Sequence, residues 1–118
     1  MFKNVLEGLV SRVDEAKGVA MVGVDGIPIA ELSQGSGVDL EKAAAECTSL
    51  IKTATATGRA MEQGSAREVV LLCEDAQTIL HAVTPDYFLC LILGPEAHLG
   101  RARYEVRKAC QRLEEELS

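Results

Sequence analysis

The chain has 118 residues, of which 12 are basic and 18 acidic, so its formal net charge at pH 7 is −6. This length accommodates one domain, expected to span residues 1–118, and the net acidity disfavours a nucleic-acid-binding protein. Apolar residues make up 47% of the chain but aromatic residues only 3%, so an aliphatic core is expected. No apolar run approaches the roughly 18 residues of a membrane-spanning helix, so membrane insertion is not expected.

The cysteines and the N-terminal segment indicate the cellular compartment. Cys47, Cys73, Cys90 and Cys110 lie far apart and form no C-x-x-C pair, which disfavours a local zinc or redox motif and is typical of reduced thiols. The first residues are amphipathic and carry Lys3, unlike a signal peptide. A cytoplasmic protein without bound metal is therefore expected.

The N-terminal part of the sequence predicts a helix followed by a hairpin. Apolar residues recur with a 3.6-residue period over 3–16, which predicts a helix. A short apolar run bounded by glycine follows over 18–24 and predicts a buried strand. Asp25-Gly26 separates this run from a second one over 27–32, and the pair favours a tight turn because glycine tolerates positive φ.

The rest of the sequence predicts two helices around a meander of strands. Asp39 offers an N-cap for the first of these helices. The predicted elements are a helix over 40–58, strands over 68–74, 77–83 and 87–93, and a helix over 96–117. The order α-β-β-α-β-β-β-α separates helices from runs of antiparallel strands. It indicates an α+β fold with a five-stranded sheet and helices on both faces.

Motifs of catalytic sites are not found in the sequence. It contains no P-loop, H-E-x-x-H or G-x-S-x-G motif, and Gly35-Ser36-Gly37 is interpreted as a flexible connector rather than a phosphate cradle. His81, in a strand, and His98, near a helix start, are most simply half-buried or solvated side chains. A nucleophilic cysteine–histidine pair stays open, because such partners meet in space rather than in sequence. No catalytic residue, metal ligand or cofactor is therefore assigned.

The closing helix carries a basic stripe. At about 100° per residue, Arg101, Lys108 and Arg112 share one side with Glu105, opposite the apolar face of the helix. A solvated helix face is the preferred interpretation, because nearby glutamates nearly cancel the charge. A phosphate-binding stripe is the alternative.

Two further segments have the composition of contact surfaces. The outward row of the middle helix consists mostly of small side chains, which would let another helix approach closely. The alternative explanation for these alanines is their good helix propensity. The row is Ala45, Ser49, Lys52 and Ala56, with Lys42, Thr48 and Thr55 among its neighbours. The strand over 68–74 is apolar on both faces, so as an unprotected edge it would promote aggregation. It is therefore central, covered or paired with another chain.

Taken together, these features resemble the Roadblock family, the dynein light chain roadblock-type domain, in its prokaryotic MglB-like form. The ordered set of segments carries the resemblance more than any single motif, and it spans nearly the whole chain. The segments are the hairpin GVAMVGVDGIPIAE, the Ala-rich helix ending in Gly58-Arg59, the meander REVVLLCEDAQTILHAVTPDYFLCLIL and the closing helix HLGRARYEVRKACQRLEEEL.

The resemblance implies a profilin-like sheet with the strand order 2-1-5-4-3. The second strand would form one edge, in agreement with Pro28, which has no N–H to donate to a ladder. The third strand would form the other edge and pair with the same strand of a second copy, with the middle helices side by side. The implied dimer interface consists of Val69, Val70, Leu71, Leu72, Cys73, Thr48 and Thr55.

The function implied by the resemblance is that of a non-catalytic, homodimeric regulator or scaffold of a Ras-like small GTPase. MglB-like members bind the GTPase MglA and accelerate its GTP hydrolysis without lending an arginine finger, which suits a chain without an evident active site. The implied partner-binding residues are Lys42, Ala45, Ser49, Lys52 and Ala56. The alternative is a structural adaptor of a larger motor or membrane-associated complex, whose binding would not depend on nucleotide.

Overall fold

The computed structural model describes residues 2–35 and 37–118. The elements follow the predicted order, with these bounds: α1 Phe2–Arg12, β1 Ala16–Gly23, β2 Pro28–Ser33, α2 Leu40–Ala60, β3 Glu68–Leu72, β4 Gln77–Thr84, β5 Tyr87–Leu93 and α3 Leu99–Leu117. Ser36, in the segment interpreted as a flexible connector, lies outside the described residues. Within the described ranges, no helix combines the length and apolar character needed to cross a membrane.

The five strands form one antiparallel sheet in the order β2-β1-β5-β4-β3. This confirms the α+β fold predicted from the sequence and the strand order implied by the resemblance. β2, which begins at Pro28, forms one edge, and β3 forms the other. Helices α1 and α3 pack on one face of the sheet, and α2 packs on the opposite face.

Strand β5 lies at the centre of the sheet and joins the N-terminal hairpin to the meander. It pairs with β1 on one side and with β4 on the other. Leu89 and Leu91 belong to the core under α1 and α3, whereas Phe88 and Cys90 belong to the core under α2. All four side chains are at most 2% exposed, so β5 is buried on both faces.

The two cores are aliphatic, as the composition predicts. The core between the sheet and α1/α3 is the larger, and Leu6, Met21, Ile79 and Leu113 are among its fully buried members. The core under α2 consists of Ala20, Val22, Ala44, Cys47, Ile51, Leu80, Phe88 and Cys90.

The boundary between α1 and β1 differs from the prediction. The helix was expected to continue to residue 16, but it ends at Arg12, and β1 begins at Ala16. Glu15 has a φ of 63°, a left-handed conformation that breaks the helix. Ala16 pairs with Leu93 of β5 instead, so sheet pairing determines the conformation of residues for which helical periodicity alone predicted a longer helix.

The predicted turn between β1 and β2 is confirmed. Gly26 has a φ of 89°, which glycine adopts without steric penalty. Asp25 Oδ1 accepts a hydrogen bond from the backbone N–H of Ile27 at 3.0 Å. The N–H of Gly26 donates to the carbonyl oxygen of Gly23 at 2.8 Å and closes the turn.

Both long helices begin at a capping side chain. Asp39 Oδ1 accepts a hydrogen bond from the N–H of Lys42 at 3.0 Å, which confirms the predicted cap of α2. Helix α3 was expected to begin near residue 96 but begins at Leu99. His98 is its cap, because Nδ1 accepts a hydrogen bond from the N–H of Arg101 at 3.2 Å.

Glu105 lies in the interior, contrary to the prediction that it shares a solvated stripe. Its side chain is 5% exposed, and Oε2 lies 3.3 Å from Nε of Arg101. Helix α1 packs against this side of α3, and a small cavity of about 130 Å³ between the two helices is lined by Glu105, Arg12, Lys108 and Arg112. The periodicity of α3 could not reveal that α1 covers this side.

Three of the four cysteines are buried. Cys90 is 0% exposed, Cys110 4% and Cys47 8%, whereas Cys73 is exposed after the end of β3. All four are free thiols. The buried thiols act as small apolar side chains in the two cores.

Replacing Arg101 by leucine should leave the buried Glu105 carboxylate without its partner. We expect Arg101→Leu to lower the free energy of unfolding by about 1–2 kcal/mol, a modest loss because Arg101 is itself largely exposed. Glu105→Leu should leave that free energy unchanged or raise it, because a buried charge is replaced by apolar contact with α1. Urea denaturation followed by circular dichroism measures both. An equal loss in both variants would contradict this account of the α1–α3 contact.

In the native protein, Ellman's reagent should modify at most one thiol rapidly, that of Cys73. Cys47, Cys90 and Cys110 should react only as fast as the protein opens, because the reagent cannot reach them. All four should react in concentrated urea, and the Cys73→Ser variant should show no rapid phase. Rapid modification of a second thiol under native conditions would show that a core around the cysteines is not closed.

Candidate functional site

The exposed side of α2 carries all five residues implied to bind a partner. They are Lys42, Ala45, Ser49, Lys52 and Ala56, and each is exposed. The opposite side of the helix is buried through Leu40, Ala44, Cys47 and Ile51. Helix α2 therefore presents small side chains and two lysines to solvent, at the positions expected from its periodicity.

The edge strand β3 exposes large apolar side chains. Leu71 is 42% exposed and Leu72 is 64% exposed, while Val69 and Val70 are half-buried. Successive side chains alternate between the faces of the sheet: Val69 packs against the core under α2, and Val70 against the core under α1 and α3. One side of β3 pairs with β4, and within the described residues its other side pairs with no strand.

An ion pair fastens β3 to α3. Arg103 Nε donates to Glu68 Oε1 at 2.9 Å, and the guanidinium makes a second hydrogen bond to the same oxygen. This hydrogen bonding and the negative charge of Glu68 raise the pKa of Arg103. The edge strand is thereby held on the sheet from the α3 side, and its α2 side is left more open.

Three residues of the implied dimer interface do not lie where the sequence analysis placed them. Thr48 is 6% exposed, and its Oγ1 donates to the carbonyl oxygen of Ala44 at 2.7 Å, so it belongs to the interior. Thr55 is half-buried and accepts a hydrogen bond from the N–H of Ala66 at 3.2 Å. Cys73 lies beyond the end of β3 in the turn before β4.

The side of α2 away from Thr48 carries another apolar side chain. Leu50 is half-buried and packs against the core under α2, as does Val69 of β3. Leu50 lies about 160° around the helix from Thr48. Ala54 is half-buried and lies one turn from Leu50 on the same side. Thr55 contacts the segment that leads into β3, through its hydrogen bond with Ala66, and the part of α2 in the implied interface stays a prediction.

A cavity of about 500 Å³ lies beside the C-terminal half of α2. The segment after α2 and the turn between β4 and β5 form its other walls. Gly58 permits this arrangement, because a Cβ there would lie 2.6 Å from the carbonyl oxygen of Gly64. The sequence analysis did not find the cavity, since its walls come from segments far apart in the chain.

Cys110 contacts His81 through the backbone rather than the imidazole ring. Its thiol donates to the carbonyl oxygen of His81 with an Sγ···O distance of 3.9 Å, and the Nδ1 of His81 lies 2.9 Å from the carbonyl oxygen of Ala82. Burial, with smaller contributions from nearby carboxylates, raises the pKa of Cys110 to about 12. The thiol is therefore uncharged at neutral pH, whereas a nucleophilic cysteine acts as the thiolate.

Cys47 and Cys90 form a thiol–thiol contact between α2 and β5. The thiol of Cys90 donates to Sγ of Cys47 at 3.8 Å. This hydrogen bond lowers the pKa of Cys47 and, together with burial, raises the pKa of Cys90. Over residues 2–35 and 37–118, no thiol is hydrogen-bonded to an imidazole ring. The same residues bring no three potential metal ligands together.

Comparison with known proteins gives a family that matches the sequence and solved structures that share the fold. Residues 2–93 match the Roadblock/LC7 domain family. No curated protein sequence matches the chain.

Three solved structures share the fold. The Roadblock/LC7 domain from Streptomyces avermitilis is 21% identical, with 98% of this chain and 96% of that chain covered and a TM-score of 0.86. Myxococcus xanthus MglB is 17% identical, with coverages of 98% and 94% and a TM-score of 0.89. Profilin IA from Acanthamoeba castellanii is 16% identical over 100% of both chains, with a TM-score of 0.67. The last comparison confirms the profilin-like architecture.

The family match runs from α1 to the end of β5, and α3 completes the same fold. The strand order implied by the resemblance is the one observed. The chain therefore belongs to the Roadblock/LC7 domain family.

Proposed function

We propose that the chain is a non-catalytic, dimeric regulator or scaffold of a Ras-like small GTPase. The observation that carries this proposal is the apolar edge strand β3 on the side of the sheet that α2 leaves partly open. Membership of the Roadblock/LC7 family and the likeness to MglB support it.

The edge strand supports self-association. Exposed leucines beside free backbone donors and acceptors favour pairing with another strand, and natural proteins rarely leave such an edge unprotected. A second copy would supply an identical strand, and a two-fold axis would make the contact self-complementary. The seam would run through Leu71 and Leu72 of β3, with the middle helices of the two copies side by side and Thr48 in the interior.

The exposed row of α2 is the proposed surface for the GTPase. One copy of this row is narrow, whereas a standard protein–protein interface buries about 800 Å² on each partner. Two copies side by side across the dimer axis would provide a broader surface with small side chains at its centre and Lys42 and Lys52 around them. The chain would then act by contact, changing the arrangement of the catalytic groups of the GTPase itself.

Leu71→Lys should weaken dimerisation, because it places a charge in the proposed seam. Light scattering of the unmodified protein should give about twice the chain mass of 12.6 kDa, and the variant should approach 12.6 kDa. Ile29→Lys is the matched control, because Ile29 is 44% exposed on the opposite edge strand and Leu71 is 42% exposed. A mass of 12.6 kDa for the unmodified protein at micromolar concentration would refute the dimer.

Ser49→Arg and Ala45→Arg should each abolish capture of a GTP-loaded MglA-type GTPase from the same organism. A long charged side chain would keep the partner away from the small-residue row. Ser11→Arg is the matched control. Ser11 is an exposed residue of α1, on the face of the sheet opposite α2, so this variant should bind the GTPase normally.

Binding that survives in both α2 variants would show that the row is not the partner surface. Binding that is equally tight with GTP and GDP would favour the structural adaptor over the regulator. Circular dichroism spectra of the variants check that the fold is intact.

A further inference from the structure

We propose that the cavity beside α2 binds a small amphipathic anion, with an apolar body and a single carboxylate or phosphate group. This site goes beyond the proposed regulation of a GTPase and does not depend on it.

The volume and the walls of the cavity suit a small ligand. Ligand pockets typically have volumes of about 300–1,000 Å³ and mostly apolar walls with a few polar groups. This cavity has a volume of about 500 Å³. Its apolar walls include Ile51 and Ala56 of α2, Ala66 after the helix, and Phe88 of β5.

Three cations surround these apolar walls. Lys52 and Arg59 are seven residues apart, so they lie about two turns apart on the same side of α2. Arg67 contributes a third positive charge from the segment that forms the opposite wall. Arginine presents a planar array of donors that matches carboxylate and phosphate oxygens.

The positive charge of the cavity is not neutralised locally. The salt bridges found in the described part of the chain involve Arg101 and Arg103, both on α3. Lys52, Arg59 and Arg67 therefore have no carboxylate partner within the described residues. Glu114 is the one acidic side chain among the described lining residues, so the cavity is net positive in a chain whose net charge is −6.

The polar groups around the cavity are arranged as donors. Arg59 Nη2 donates to Ser65 Oγ at 2.9 Å, which holds the guanidinium in place and leaves the serine hydroxyl proton free to donate. Thr55 Oγ1 accepts from the N–H of Ala66, so its proton is free as well. A ligand group with acceptors only fits this arrangement. Lys52, Arg59 and Arg67 outnumber the single carboxylate of Glu114, so a ligand with a negative charge is favoured.

The probe for the test is decanoate, added to ¹⁵N-labelled full-length protein below the concentration at which it forms micelles. We expect chemical-shift changes confined to the segments that line the cavity, which are residues 51–59, 65–67 and 82–88 together with Val24 and Glu114. Decanol, which is uncharged, and decyltrimethylammonium, which is cationic, are matched probes and should bind at least about tenfold more weakly, because each lacks the charged acceptor.

Arg59→Gln and Arg67→Gln should each weaken decanoate binding about tenfold, since one charge-assisted hydrogen bond is lost. Ala56→Phe should block decanoate and decanol alike, because it fills the cavity from an exposed helix position. Arg107 is an exposed residue of α3 outside the cavity, so the Arg107→Gln variant should bind decanoate normally.

The proposal is overturned by shift changes scattered over the surface, by unchanged affinity in both arginine variants, or by equal affinity for decanoate and decanol. It is also overturned if neither decanoate nor decanol binds while an acidic, leucine-containing peptide changes the chemical shifts of the same residues. The site would then bind a segment of a partner protein.

Discussion

The fold depends on the pairing of β1 with β5. This ladder joins the N-terminal hairpin to the C-terminal meander and places both in one sheet. Because β5 is buried on both faces, its side chains form part of both cores at once. Helices α1 and α3 cover one of these cores and α2 covers the other. Helices α1 and α2 lie mainly over the hairpin of β1 and β2, and α3 lies mainly over β4.

The two edges of the sheet have different chemistry. β2 begins with Pro28 and carries Glu31, and both features discourage pairing with another chain. β3 contains no proline, and its one charged residue, Glu68, is bound to Arg103 of α3, so exposed leucines dominate this edge. Helix α2 packs toward the β1–β2 half of the sheet, which leaves β3 accessible from its own face. The difference between the edges supports β3 as the edge proposed for self-association.

The sequence predicted the type and order of every element, because those depend on local periodicity and on turn residues such as Asp25 and Gly26. It failed where a distant segment decides the environment of a residue. The periodicity of α3 alone predicts that Glu105 is solvated, but α1 covers its side chain. The sequence pattern places Thr48 at the surface, but its side chain is buried and donates to the carbonyl oxygen of Ala44 in its own helix. The cavity beside α2 joins segments from four parts of the chain, so no single stretch of sequence could predict it.

The ladder between β1 and β5 also has a consequence for the order of folding. Gly23 pairs with Tyr87, and Ala16 pairs with Leu93, so the partners are separated by more than half of the chain, including α2 and three strands. Contacts between such distant segments form more slowly than local hairpins, because a long loop must close first. During synthesis the hairpin of β1 and β2 emerges long before its central partner. Until β5 arrives, Val19 and Met21 lack the strand beside them that completes their burial.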